Sequence, residues 1–263
     1  MDLELRDRVA VITGGASGIG EACARGFAAE GAEPVVWDLA VDEDGANDPG
    51  QPLAIRADIT SESDLHRALE RTLDRFDRID HLVHAAAIGS GKFGFPFTNL
   101  TPVDWRRTIE VNVLGMTNVA HAVSPHMIEN RSGTQVYIAS IGGQIGSQTD
   151  PPYSASKAAN INFAQCLAKD LAPSGIRVNT ICPGMVKTPL NRSVWQAWRD
   201  VNPDENTLTY DEWAGEKIKS LIPLGTWAKV EDVADMVLFL SSNRAQQVTG
   251  QTINVDGGFV MHW

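Results

Sequence analysis

Tyr153 and Lys157 stand four residues apart at the start of a helix-patterned stretch, so both side chains project from one face about one turn from each other. A tyrosine hydroxyl titrates near about 10, too high for an efficient base at neutral pH, and a neighbouring ammonium would lower it by stabilising the phenolate. Ser140 ends a β-patterned run 13 residues before Tyr153 and can present its hydroxyl to the same point. Such a trio could move a proton to or from an oxygen of a small molecule. Each member also has an ordinary reading, since Tyr-x-x-x-Lys is common on helices and a serine often ends a strand.

Bringing the three together requires a strand end beside a helix start, and the chain carries that pattern repeatedly. Short β-branched runs at 9–12, 34–37, 53–55, 81–84, 135–139, 176–181 and 252–255 alternate with helix-patterned segments at 18–30, 62–76, 103–129, 153–171 and 230–242. Strands apolar on both faces suit a parallel sheet covered by helices. Helix starts are signalled by Thr60 or Ser61 ahead of Glu62 and Asp64, and by Pro102 ahead of Asp104. The expected fold is α/β: a doubly wound parallel sheet of about seven strands, with residues 1–263 as a single domain. After Pro183-Gly184 the pattern loosens, predicting an irregular lid insert near 186–222. Its Trp195, Trp198, Tyr210 and Trp213 could wall a pocket, stack on a sugar-like ring, or simply pack.

Directly after the first strand comes Thr13-Gly14-Gly15-Ala16-Ser17-Gly18-Ile19-Gly20, a glycine-rich turn opening a helix. Backbone N–H groups and the helix dipole there can hold a pyrophosphate, although such a turn can also be purely structural. Asp38 ends the second strand 18 residues after Gly20, the place of a carboxylate that hydrogen-bonds an adenosine ribose and repels a 2′-phosphate. Leu39 and Ala40 supply no arginine to receive that phosphate, which favours NAD over NADP. The plainer reading of Asp38 is a solvated loop acid.

The spacing T-G-x-x-x-G-x-G, together with Ser140 and Tyr153-x-x-x-Lys157, resembles the short-chain dehydrogenase/reductase family in its compact single-domain branch, over nearly the whole chain. The resemblance implies a Rossmann-like fold and a catalytic set of Asn112, Ser140, Tyr153 and Lys157. In it Tyr153 exchanges a proton with the substrate oxygen, Ser140 orients that oxygen, Lys157 holds the nicotinamide ribose, and Asn112 holds a water that links Lys157 to solvent. It implies a cofactor site of Gly14, Ser17, Gly18, Ile19, Gly20, Asp38, Asp58, Ile59 and Ala86. Tyr153, Lys157, Pro183, Gly184, Val186 and Thr188 complete that site, the last two toward the carboxamide. Asp256-Gly257-Gly258 matches a closing motif of structural use. His84-Ala85-Ala86-Ala87 stands where the family usually carries Asn-Asn-Ala-Gly, and His84 reads as scaffold. Gln144 and Gln148 fall on the loop that in the family lines the substrate pocket. The family also implies a homotetramer, and the apolar, aromatic ending Val260-Met261-His262-Trp263 fits packing against a second subunit.

Composition narrows the partners. With 22 basic against 33 acidic residues the formal charge is −11, a poor surface for nucleic acid or an anionic membrane. No apolar run approaches the roughly 18 residues of a membrane span, and the acidic start lacks a signal-peptide pattern. Cys23, Cys166 and Cys182 show no C-x-x-C spacing, which fits a reducing compartment, the cytoplasm. No metal site is expected: His81 and His84 face opposite ways on a strand, and His121 and His126 are five apart on a helix. The expected function is an NAD-dependent oxidoreductase interconverting a secondary alcohol and a ketone, with a sugar, polyol or cyclic hydroxy compound as the small-molecule substrate. The alternatives are a carbonyl reductase, such as a 3-oxoacyl reductase, and a non-catalytic dinucleotide-sensing regulator.

Overall fold

The computed structural model describes residues 2–42, 52–147, 149–203 and 208–261. Strand β1 (Val9–Thr13) is buried along its whole length because it lies mid-sheet with helices on both faces. Its Val9 and Val11 join one apolar cluster and its Ala10 and Ile12 the other, as the period of two along a strand requires. From β1 the chain winds outward through α1 (Gly18–Ala29), β2 (Glu33–Asp38) and β3 (Leu53–Arg56). It returns through α2 (Glu62–Phe76) to β4 (His81–His84), on the other side of β1. With β5 (Gly133–Ile138), β6 (Ile176–Pro183) and β7 (Thr252–Val255), the all-parallel order is β3-β2-β1-β4-β5-β6-β7. This is the doubly wound, Rossmann-like sheet, and the reversal between β1 and β4 opens a crevice at the carboxyl ends of the strands.

Helices α1 and α8 (Val230–Ser241) cover one face, burying Phe27, Val233 and Val237. On the other face α2, α4 (Met116–Asn130) and α5 (Pro151–Leu171) bury Leu65, Val119, Val123 and Ala164. Ser61, not Thr60, caps α2, its hydroxyl accepting the Asp64 amide. Among the described residues, no helix is long and apolar enough to cross a membrane.

Two expectations are corrected. The helix read across 103–129 is not continuous: α3 (Pro102–Ile109) widens into a π-helical turn, Glu110–Gly115, before α4 resumes. The widened turn carries the buried Asn112, and such bulges often mark functional positions. The lid is not irregular either, for it contains α6 (Pro189–Val201) and α7 (Tyr210–Leu221). Their start signals are explicit in Thr188 capping α6 and in the Thr209–Glu212 capping box of α7. Trp195, Trp198, Tyr210 and Trp213 pack with one another and with Trp227, so packing is their role here.

At the amino end of the strands a buried carboxylate ties the sheet together. Asp80 accepts hydrogen bonds from the Val9 amide at 2.9 Å, from Arg8 at 3.1 Å and from Arg78 at 2.8 Å, while its own carbonyl accepts the Thr134 amide of β5. Burial works to raise its pKa, but the bonds from Arg78 and Val9 outweigh that and hold the carboxyl below its usual range. Both arginines are half-exposed, so the loss in Asp80→Ala comes chiefly from the Val9 amide left without its acceptor, about 2 kcal/mol at neutral pH. The part of this contribution that depends on the carboxyl's charge is present above the unfolded carboxyl's pKa of about 4 and is lost as pH falls through the lower folded value. Thermal melts of the two proteins should therefore differ most at neutral pH, and the gap should narrow as the solution is acidified.

Candidate active site

The glycine-rich turn is tied to strand β2. The Gly14 amide donates to the Trp37 carbonyl at 3.0 Å, and Gly14 adopts a φ of +70°. A side chain at Gly20 would meet the Gly14 carbonyl at 2.1 Å, so the turn can close only on glycine. Asp38, at the end of β2, accepts from the Ala16 amide at 3.0 Å and from the Ala40 amide at 2.9 Å, which fixes its carboxylate beside the turn. Asp58, beyond β3, accepts from both the amide and the hydroxyl of Thr60.

These groups line a cleft of about 710 Å³ that runs along the carboxyl ends of the strands. Gly14, Ser17, Gly18, Ile19, Gly20, Asp38, Asp58, Ile59, Ala86, Tyr153, Lys157, Pro183, Gly184, Val186 and Thr188 all border it, as does Ser140. Asn112 does not. Its amide accepts from the Ile88 N–H at 2.8 Å and donates to the Ile88 carbonyl at 2.8 Å and to the Ser156 hydroxyl at 2.9 Å. It therefore stands behind the wall, clamping the segment after β4 to α5.

Asp150, Tyr153 and Lys157 also border the cleft. Asp150 caps α5, and Tyr153 and Lys157 follow in its first turns. The Lys157 ammonium, 3% exposed, donates to the Ile138 carbonyl at the end of β5 at 2.6 Å and lies 5.5 Å from the centre of the Tyr153 ring. Burial pushes the Lys157 pKa down to about 8, against a smaller opposing pull from Cys182. Burial also raises the Tyr153 phenol above its ordinary value, and the hydrogen bond from Ser140 works the other way. The expected lowering of the phenol is thus not met in the protein alone; desolvation dominates, and Ser140 is the group that opposes it. The Ser140 hydroxyl in turn accepts the Gly142 amide at 3.0 Å.

His84 is buried, with Nδ1 2.9 Å from the Thr13 hydroxyl, which also accepts the Ala86 amide. Burial and then Lys157 push its pKa down to about 3, so it stays neutral and scaffolds the cleft floor. His81 stacks on Phe27 across the sheet while His84 leans on Tyr137, so the two point to opposite faces. Gln144 pairs reciprocally with Asn254 rather than bordering the cleft, and Gln148 lies outside the described residues. The aromatic ending is only partly described, with His262 and Trp263 outside the described residues. Thr188 lines the cleft and also caps α6. Asp256 accepts the Gly258 and Val260 amides, a structural closure.

Residues that motif reading missed also line the cleft, notably Asp150, Arg107 and Asn191. Asp150 precedes Pro151-Pro152, a helix-start signal, but nothing in the spacing says that its carboxylate borders a cavity.

A dinucleotide suits these residues. The small side chains of Ala85, Ala86 and Ala87 floor the cleft, and a side chain added at Gly18 would meet nothing nearer than 3.5 Å, leaving the start of α1 open to a phosphate. The family model described as enoyl-(acyl carrier protein) reductase matches residues 14–260. The chain is 34% identical to a 3-oxoacyl-(acyl-carrier-protein) reductase of Thermotoga maritima over 98% of its length and 100% of that protein's. It is 32% identical to an NAD-dependent glycerol dehydrogenase of Listeria innocua, over 99% and 96% of the two chains. The solved structure of levodione reductase superposes with a TM-score of 0.85 at 30% identity, covering 96% of this chain and 97% of that one.

The Ser140 turn and α5 touch with no room to spare. A side chain at Gly143 would lie 2.6–2.8 Å from the backbone of Lys157 and Ala158. Gly143→Ala should cost about 2 kcal/mol by overpacking, visible as a drop of roughly 5 °C in the thermal midpoint. An unchanged midpoint would show that the turn and helix can separate freely.

Proposed function

The chain belongs to the short-chain dehydrogenase/reductase family and is an oxidoreductase, and we propose that it interconverts a secondary alcohol and a ketone with NAD as its cofactor. The observation that carries this reading is the meeting of Ser140, Tyr153 and Lys157 at one end of a cleft whose other end presents Asp38. The Gly14–Gly20 turn would hold the pyrophosphate, Asp38 the adenosine ribose, and Val186 and Thr188 the carboxamide. Bound there, the nicotinamide supplies the hydride acceptor for alcohol oxidation and the donor for ketone reduction.

In oxidation, Tyr153 acts as the phenolate, which a cationic nicotinamide bound beside it would favour against the effect of burial. It would take the proton of the substrate hydroxyl while the carbon bearing that hydroxyl gives its hydride to the cofactor. Ser140 donates a hydrogen bond to that substrate oxygen and so fixes the carbon toward the cofactor side of the cleft. Lys157 holds a positive charge beside the Tyr153 ring and would hold the ribose hydroxyls of the bound cofactor. Reduction runs the same transfers backward, with Tyr153 as the acid. Asn112 contributes through position, holding Ile88 against α5.

For the cofactor, Asp38 is an anion where a 2′-phosphate would sit, and Arg107 nearby is engaged by Glu110 at 3.0 Å and Asp58 at 3.8 Å. The name of the Listeria relative points the same way. A carbonyl reductase of the 3-oxoacyl type is the second reading, favoured by the Thermotoga relative. We further propose a homo-oligomer.

Tyr153→Phe removes the proton-exchanging oxygen and keeps the ring. Turnover of whichever alcohol the enzyme oxidises should fall about a thousandfold, while NADH binding followed by fluorescence persists. Turnover close to that of the parent would assign the proton transfer to another group.

A further inference from the structure

Between Tyr153 and the lid, the cleft is bordered by a carboxylate that the proposed chemistry leaves unused. Asp150 is 6% exposed and lines the cleft. One carboxylate oxygen accepts the Ser90 amide at 2.8 Å and the other accepts the Tyr153 amide at 3.3 Å. The Ser90 hydroxyl also bonds to it. No cation pairs with it among the described residues. A carboxylate accepts about four hydrogen bonds, so one acceptor position remains for a molecule in the cleft. Gly89 keeps this position open, since a side chain there would lie 2.9 Å from the Asp150 Oδ2.

The charge of Asp150 is felt at the Tyr153 phenol, where it acts to raise the pKa, so the carboxylate lies close enough to influence a group bound beside the reacting oxygen. Asn191 of the lid also lines the cleft and has its carbonyl oxygen taken by the Tyr210 hydroxyl at 2.7 Å, which leaves its amide N–H groups as donors. The substrate end thus offers an uncompensated acceptor on the α5 side and a donor on the lid side.

We infer that Asp150 is a specificity-determining residue, selecting uncharged substrates that carry a second hydroxyl on the carbon next to the reacting one and rejecting those that carry a carboxylate there. The inference rests on the alcohol–ketone reading given above. The second hydroxyl donates to Asp150 while the reacting oxygen meets Ser140 and Tyr153. A carboxylate in the same place would face an unpaired anion with little water to screen it, and like charges so placed are strongly disfavoured.

The test compares kcat/KM for cyclohexane-1,2-diol with that for 2-hydroxycyclohexanecarboxylate in the parent enzyme and in Asp150→Asn, with NAD saturating. Asparagine is a good helix cap, so α5 keeps its start, and Asp150→Ser, another cap, is read in the same assay should the first variant fail to fold. The diol-to-carboxylate ratio should fall by about tenfold or more in the variant. A smaller change overturns the inference and leaves the alcohol oxidation standing. A parent enzyme that oxidises other secondary alcohols but neither of these compounds overturns the inference alone, and one that binds NAD yet oxidises no alcohol and reduces no ketone removes the reaction and the inference with it.

Discussion

A lysine ammonium buried against a backbone carbonyl is the constraint on which the rest of the site depends. An unpaired charge in a protein interior costs several kcal/mol unless polar groups surround it. Lys157 meets that cost with the Ile138 carbonyl at 2.6 Å, and no carboxylate shares the burden among the described residues. The bond fixes the height of α5 relative to the end of β5. Tyr153, one turn earlier on the same face, is thereby set beside Ser140, which leaves the strand two residues after Ile138. Gly143 follows from the same constraint, because the turn after Ser140 must lie against the backbone of Lys157.

The sheet separates stability from chemistry. At the amino ends of the strands, Asp80 ties β1 to β5, and Arg177 donates to the carbonyls of Leu240, Val248 and Ser242. At the carboxyl ends, by contrast, the polar groups border a cleft. The reversal of strand order between β1 and β4 creates that opening, and the glycine turn, Asp38 and the alanines after β4 shape it for a dinucleotide. Lid helices α6 and α7 carry their own aromatic cluster and so need not borrow core from the sheet to cover the substrate end.

Much of this was legible from residue types. Alternating β-branched runs and capped helices predict the parallel sheet, and the glycine spacing with Asp38 predicts which strand ends meet a cofactor. Tyr153, Lys157 and Ser140 come together as their spacing requires. What escaped is what depends on side chains from distant segments. The π-helical turn at Asn112 is set by its bonds to Ile88 and Ser156, far away in sequence. The lid's tryptophans carry no mark telling a pocket wall from a packed cluster. The phenol of Tyr153 rises rather than falls because burial, invisible in a Tyr-x-x-x-Lys motif, outweighs the hydrogen bond from Ser140. Asp150, which the motifs passed over, caps α5 and borders the cleft, and only the fold shows both.

Transfer of hydride between NAD and a secondary alcohol in this cleft would be seen as the appearance of reduced nicotinamide absorbance with NAD or NADP. Sugars, polyols, cyclic diols, hydroxysteroids and hydroxy acids form the panel. An uncharged hydroxyl compound should reduce NAD in clear preference to NADP. Absence of reduction across the panel, with NADH binding still detectable by fluorescence, would contradict it and make the cleft a dinucleotide sensor.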